Sequence, residues 1–300
     1  MTIREALAQS SAGLKKAGIE TSSLDASLLL AHILNISRTA LTAKGNDPLP
    51  EESLASFRAL VNRRLKGECI AYILGKKEFR GLEFYVNPSV LVPRPDTETL
   101  VEAAIEIINE KTAMRGSGIA ANSFRVIDLC TGSGAAAISL KSEMPRLEVW
   151  ASDISAEALK TAKANAERLL PAGSIYFLQG DLYNALDPLI PNSPFPIPSL
   201  FSLIICNPPY IPSGEIQGLS AEVKNEPALA LDGGASGLTI IERVIDEAPQ
   251  KLISGGELLL EADPRQMKKI TVLLEKRGFC NIKLYKDLSG RERVIGGVYE

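Results

Sequence analysis

The chain predicts an α/β fold: a mostly parallel sheet with helices on both faces, an antiparallel pair at its end, and a small helical module in front. Three observations carry that expectation. From Phe124 onward, apolar runs of strand length alternate with longer stretches of helical period. The last stretch, Asn281 to Glu300, holds two strand-like runs around Leu288-Ser289-Gly290, which suits a hairpin added to the sheet. The first 75 residues instead carry helical signals.

Taken in order, Thr2-Ile3-Arg4-Glu5 reads as a capping box and Gly18 as the stop of the helix it opens. A second helix is expected over 23–34 and a third from Pro50 to about Gly67, with Asn46-Asp47-Pro48 as a turn between them. Glu78-Phe79-Arg80 and Leu82 to Val86 flank Gly81, which predicts a hairpin at the joint between two domains. After Pro93-Arg94-Pro95 a helix opens at Asp96 and runs to about Asn109, followed by a small, polar loop from Thr112 to Asn122. Strands are expected at 124–129, 147–152, 174–179, 201–206 and 255–261, and helices at 134–143, 155–169, 237–250 and 264–277. With the terminal pair the sheet has seven strands. Asp187 to Ser199 carries five prolines and reads as a surface loop. The boundaries that follow are a helical domain over 1–75, a hairpin linker over 76–93 and an α/β domain over 94–300.

Composition narrows the function. Of 300 residues 45% are hydrophobic, ample for a real core, and no apolar run approaches the roughly 18 residues that span a bilayer. The N-terminus lacks the plan of a signal peptide, so a cytoplasmic protein is expected. A net charge of -3 gives no global field for a nucleic-acid backbone, which makes nucleic acid an unlikely partner. Cys69, Cys130, Cys206 and Cys280 form no C-x-x-C pair and read as small buried hydrophobes, not as a zinc site. The single histidine, His32, lies in an apolar helical run, so Ser-His or Cys-His chemistry is not expected. No metal is called for.

The site residues gather at strand ends. Asn207-Pro208-Pro209-Tyr210 follows the apolar run Phe201 to Cys206, and two prolines stop a strand where an open α/β sheet binds ligands. Asn207 and nearby carbonyls there offer acceptors to a planar group bearing N–H bonds. The first sheet strand runs into Asp128-Leu129-Cys130-Thr131-Gly132-Ser133-Gly134, a glycine turn that lets a ligand approach backbone at a helix N-terminus. Asp153 ends the second strand, where a carboxylate can accept from both hydroxyls of a ribose, and Asp181-Leu182 follows the third, where an adenine would lie. The same glycines fit a dinucleotide fingerprint, which keeps a nicotinamide-dependent oxidoreductase as one alternative.

Together, D-L-C-T-G-S-G, Asp153, G-D-L at 180–182 and N-P-P-Y resemble the Rossmann-like, class I methyltransferases that use S-adenosylmethionine and act on nitrogen. More narrowly, V-P-R-P-D-T-E at 92–98, E-P-x-x-A-L at 226–231, D-G-G-x-x-G-L at 232–238 and G-R-E-R-V at 290–294 resemble the peptide chain release factor N5-glutamine methyltransferases, over nearly the whole chain. That resemblance implies methyl transfer to the glutamine of a Gly-Gly-Gln motif in release factors, with S-adenosylhomocysteine as product and the helical module helping to bind the factor. It implies Asn207, Pro208 and Tyr210 as catalytic residues, these with Pro209 as the substrate grip, and Asp128, Cys130 to Gly134, Asp153, Asp181, Leu182 and Asn207 as the cofactor site. Cys130 stands where many relatives carry glycine. The neighbouring alternative is a methyltransferase of nucleic-acid amino groups, which present similar N–H donors but call for a basic channel.

Overall fold

The computed structural model describes residues 1–114, 124–186 and 197–300. Most of the loop expected over Thr112 to Asn122, and of the proline-rich stretch Asp187 to Ser199, lies outside the described residues. The chain divides into two compact units: residues 1–76 with 220–225, and residues 77–219 with 226–300.

The first unit is helical: α1 Ile3–Lys16, α2 Ser22–Leu34, α3 Arg38–Ala43, α4 Glu51–Leu65 and α5 Ile70–Leu74, joined by the short α9 Ala221–Lys224. Thr2 caps α1 as its sequence predicts, accepting from the Glu5 N–H while Glu5 accepts from the Thr2 N–H at 2.9 Å. Leu14, Leu29, Leu30 and Phe57 are fully buried and form its centre. The periodic signal does not reveal α3 and α5, which are only a turn or so long and rely on side-chain caps, Ser37 for α3 and Cys69 for α5. Buried Arg64 donates to Asp25 at 2.6 Å and also pairs with Glu222 of α9. Asn225 donates to the Gly67 carbonyl at 2.8 Å. A helix far along the chain thus completes this unit, a feature that contiguous domain boundaries do not contain.

The second unit begins at the expected hairpin, β1 Lys76–Phe79 and β2 Leu82–Tyr85. Arg80 and Gly81 both take positive φ, 48° and 75°, the conformation that a tight two-residue hairpin turn requires. There follow α6 Glu98–Met114, β3 Arg125–Leu129, α7 Ala135–Glu143, β4 Glu148–Asp153, α8 Ala156–Leu169, β5 Ile175–Gln179, β6 Phe201–Cys206, α10 Thr239–Glu247, β7 Leu252–Glu261, α11 Met267–Lys276, β8 Phe279–Lys286 and β9 Glu292–Tyr299. Helix α6 extends one turn beyond the expected end at Asn109, and α10 stops before Pro249 with a 3₁₀ turn.

Seven strands form one sheet in the order β5-β4-β3-β6-β7-β9-β8, parallel except for the antiparallel pairs that β9 makes with β7 and β8. Every residue of β6 is buried, the signature of a central strand covered on both faces. The chain runs outward from β3 to β5 on one side and from β6 to β7 on the other. The switch point therefore lies between β3 and β6, and a ligand crevice belongs at their carboxyl ends.

Candidate active site

A cavity of about 270 Å³ opens at that switch point. Asp128, Cys130, Thr131, Gly132 and Ser133 line it from the end of β3, Asp153 from β4, Asp181 and Leu182 from beyond β5, and Asn207 and Pro209 from beyond β6. Of the residues read from the sequence, Gly134, Pro208 and Tyr210 stand at the same strand ends without lining the cavity. Gly134 instead packs inward: a Cβ there would sit 2.8 Å from Ile138 Cδ1.

The turn after β3 is held by side chains at both ends. The Asp128 carboxylate accepts from the Thr131 hydroxyl at 2.6 Å, and Asp153 Oδ2 accepts from the Gly132 N–H at 2.9 Å. Cys130 and Gly132 take φ of 57° and 56°, the left-handed region that favours glycine, so the cysteine is the strained member of the pair. Burial pushes the Asp128 carboxyl up to about 7 against the opposing hydrogen bonds from Thr131 and the Ala137 backbone. Burial likewise raises Asp153, opposed by backbone N–H donors of Ser155, Gly132 and Ile154. A buried carboxyl group and a half-buried one facing one cavity favour a ligand that brings a cation and hydroxyl donors.

Several supports went unread in the sequence. Asn165, fully buried on α8, donates to the Ser133 carbonyl at 3.0 Å and the Tyr85 carbonyl at 2.9 Å, and accepts from the Tyr85 N–H. It ties the glycine turn to the hairpin; an asparagine at a buried helix position was its only trace. Arg94 forms its ion pair with buried Glu226, not with the nearby Glu98, and Glu226 also accepts from the Val92 N–H at 3.1 Å. The P-R-P-D-T-E and E-P-x-x-A-L segments are therefore two halves of one clamp beside the cavity. Arg243 of α10 pairs with Asp181 at 2.7 Å, and both line the cavity.

The D-G-G-x-x-G segment cradles the N-P-P-Y backbone. A Cβ at Gly233 would come within 2.8 Å of the Pro209 carbonyl and Tyr210 Cα, and one at Gly237 within 2.4 Å of the Tyr210 carbonyl. Gln266 donates to both the Tyr210 and Gly237 carbonyls, at 2.9 and 3.1 Å. Asn207 Nδ2 donates to Thr97 Oγ1 at 3.1 Å, and among the described residues its carboxamide oxygen accepts no hydrogen bond. The Tyr210 hydroxyl points to Glu261 Oε1 at 3.5 Å. Among the described residues no group of three or more His, Cys, Asp or Glu side chains is placed to hold a metal ion, and no helix is long and apolar enough to cross a membrane.

Comparison with known proteins decides the family. Residues 5–75 match the PrmC N-terminal domain and residues 114–286 the methyltransferase small domain. A release factor glutamine methyltransferase of Burkholderia pseudomallei is 40% identical, with 91% of each chain covered. The chain belongs to the release factor glutamine methyltransferase family. The Geobacter sulfurreducens member is 35% identical over 99% of this chain and 96% of its own, and the Vibrio cholerae member 36% identical over 100% and 98%. Among solved structures, the hMettl16 catalytic domain in complex with an RNA hairpin overlays with a TM-score of 0.55 at 14% identity, covering 80% of this chain and 81% of that one, a likeness of fold. Family membership makes this chain a methyltransferase and removes the oxidoreductase alternative.

Proposed function

We propose that the chain transfers a methyl group from S-adenosylmethionine to the side-chain amide nitrogen of the glutamine in the Gly-Gly-Gln motif of peptide chain release factors, in the cytoplasm. The observation that carries the proposal is Asn207 at the cavity: its Nδ2 is engaged by Thr97, so its oxygen is free to accept an N–H bond. The name of its relatives, release factor glutamine methyltransferase, supports the substrate class. The helical unit is proposed to help bind the factor.

The cavity fits the cofactor by the chemistry of its donors. Asp128 would hold the cationic amino-acid end, Asp153 the ribose hydroxyls, and Asp181 and Leu182 the adenine, with Cys130 to Ser133 in contact through the glycine turn. When bound, S-adenosylmethionine supplies an electrophilic methyl on a sulfonium. The chain's own task is positioning, because an amide nitrogen is a poor nucleophile. Asn207 Oδ1 accepts one amide N–H bond at the cavity, and the Pro208 carbonyl, at the same strand end but outside the cavity lining, is assigned the other; together they turn the nitrogen toward the methyl and favour the positive charge that grows on it. Pro209 walls the cavity, and Tyr210 serves by fixing the loop. The C–S bond breaks as the C–N bond forms, S-adenosylhomocysteine leaves, and the alkylated nitrogen loses one proton to water; the reaction so drawn needs no metal and no histidine base.

A pH dependence follows. Asp128 takes up a proton below about pH 7 when nothing cationic faces it, and a bound ammonium favours its charged form. Cofactor affinity should therefore rise as pH rises through 7, with proton release on binding; calorimetry in buffers of different ionisation enthalpy reads both. The substrate is tested with labelled cofactor and a release factor, its Gln→Ala variant in Gly-Gly-Gln, tRNA and DNA. Label is expected on the wild-type factor alone. Labelling of the variant at the same rate, or of nucleic acid instead, would refute the assignment.

A further inference from the structure

Leu229 lines the cavity and yet is 69% exposed, the most exposed of the large apolar side chains that do so. It therefore stands at the mouth. It sits in the middle of the 3₁₀ turn Ala228–Ala230, where Pro227 and Ala230 line the cavity with it, and Leu91 and Pro93 line it from the segment before α6. Both segments belong to the Asn207 side of the cavity. Thr97, four residues after Pro93, accepts from Asn207, and the Leu231 carbonyl accepts at 3.0 Å from the N–H of Ile211, the residue after N-P-P-Y. Neither segment is free to swing. Buried Glu226 ties them together, accepting from the Val92 N–H and pairing with Arg94. The turn itself is closed by the Ala230 N–H on the Pro227 carbonyl at 2.9 Å and by the Leu231 and Asp232 N–H groups on the Ala228 carbonyl.

Only two methylenes separate a glutamine's Cα from its amide, so an amide held at Asn207 brings its own main chain to this mouth. Its neighbours in sequence then lie against the two lips. None of the side chains of Leu91, Pro93, Pro227, Leu229 and Ala230 carries a hydrogen-bond donor or acceptor, so recognition there is by shape. A neighbour without a Cβ lets the main chain come close to such a wall, whereas a side chain must push against it or lift the glutamine away. Lifting withdraws the amide from Asn207, and a misplacement of about 1 Å costs about a hundredfold in rate. We propose that Leu229 is a specificity-determining residue: it packs over the main chain of the residue immediately before the target glutamine and selects glycine at that position. A single exposed leucine elsewhere on a surface needs no explanation. This one is covered when substrate binds, and its burial then adds to affinity.

The inference rests on the proposed substrate of the same site, and a double-mutant cycle separates the two. Transfer from labelled S-adenosylmethionine is measured for wild type and Leu229→Ala, each with a release factor and with its Gly→Ala variant immediately before the glutamine. For wild type, the change in the factor should lower kcat/KM by about 100-fold. Leu229→Ala should lower kcat/KM for the natural factor by about fivefold, mostly through KM, and should then lose only about tenfold more on the Gly→Ala factor. The enzyme and substrate residues are thus expected to be coupled by about tenfold. Any effect of the new alanine within the factor itself is the same for both enzymes and cancels. The Kd of S-adenosylmethionine should stay within about threefold, since the groups proposed to hold it lie at the ends of β3, β4 and β5. Effects that simply multiply to within about twofold would remove Leu229 as the selector, and a loss of cofactor affinity as large as the loss for the factor would place it on the cofactor's side. Either result overturns the inference and leaves the substrate reading standing. A wild-type enzyme that labels no release factor overturns both.

Discussion

Asn207→Ala should lose methyl transfer by about 10³-fold, near 4 kcal/mol of transition-state stabilisation, while binding S-adenosylmethionine within about threefold of wild type. The asymmetry follows from where the side chain sits. Asn207 follows β6 directly and is half-buried at the cavity, held by Thr97 on one side only. The carboxyl groups proposed to hold the cofactor lie on β3 and β4 and hydrogen-bond to the turn and to Ser155, not to Asn207. Truncation leaves the loop in place as well, since Gln266, Gly233 and Gly237 hold the backbone of residues 209 and 210. Single-turnover transfer beside calorimetric binding separates the two effects. Loss of affinity in step with loss of rate would show that Asn207 serves the cofactor and not the amide.

Asp153→Asn should show the reverse, a roughly 100-fold loss of cofactor affinity, about 2.7 kcal/mol, with a smaller effect on the rate at saturation. The carboxylate accepts from the Gly132 N–H at Oδ2 and the Ser155 N–H at Oδ1, both at 2.9 Å. Its remaining lone pairs are the ones proposed to receive two ribose hydroxyls. An asparagine of the same shape has one oxygen and one NH₂, so one backbone donor would face another donor and one hydroxyl would lose its acceptor. The glycine turn loosens at Gly132 as a result. Titration of the cofactor against the folded variant reads this directly; unchanged affinity would remove Asp153 from the cofactor site.

What could be read in advance divides along local and non-local lines. The strands from 124 to 129 and from 201 to 206 are near-continuous apolar runs with punctuation at their ends, so their place in a buried parallel sheet was legible. That Asp128, Asp153 and Asn207 line one cavity was legible for the same reason: ligand crevices of open α/β sheets lie at the carboxyl ends of such strands. Partners drawn from distant segments were not. Nothing local marks Glu226 as the acceptor for Arg94, 132 residues earlier, or Asn165 as the tie between Ser133 and Tyr85. Glu261 is the instructive case. It stood in plain view as a carboxylate ending an apolar strand, the pattern that singled out Asp128 and Asp153, but only the fold shows that it is fully buried with the Tyr210 hydroxyl 3.5 Å from its Oε1. The assignment of Glu222 to the helical unit was equally hidden, because it depends on Arg64 reaching a segment 158 residues away.

The central claim is that the Asn207 carboxamide directs a methyl group onto the side-chain nitrogen of a protein glutamine. Residue-resolved mass spectrometry of a release factor incubated with S-adenosylmethionine and either wild type or Asn207→Ala tests it most directly. The account predicts one added methyl, located by fragmentation on the glutamine side chain of Gly-Gly-Gln with wild type, and none with the variant. A methyl found on another residue, or on the same glutamine at equal yield with Asn207→Ala, would contradict it.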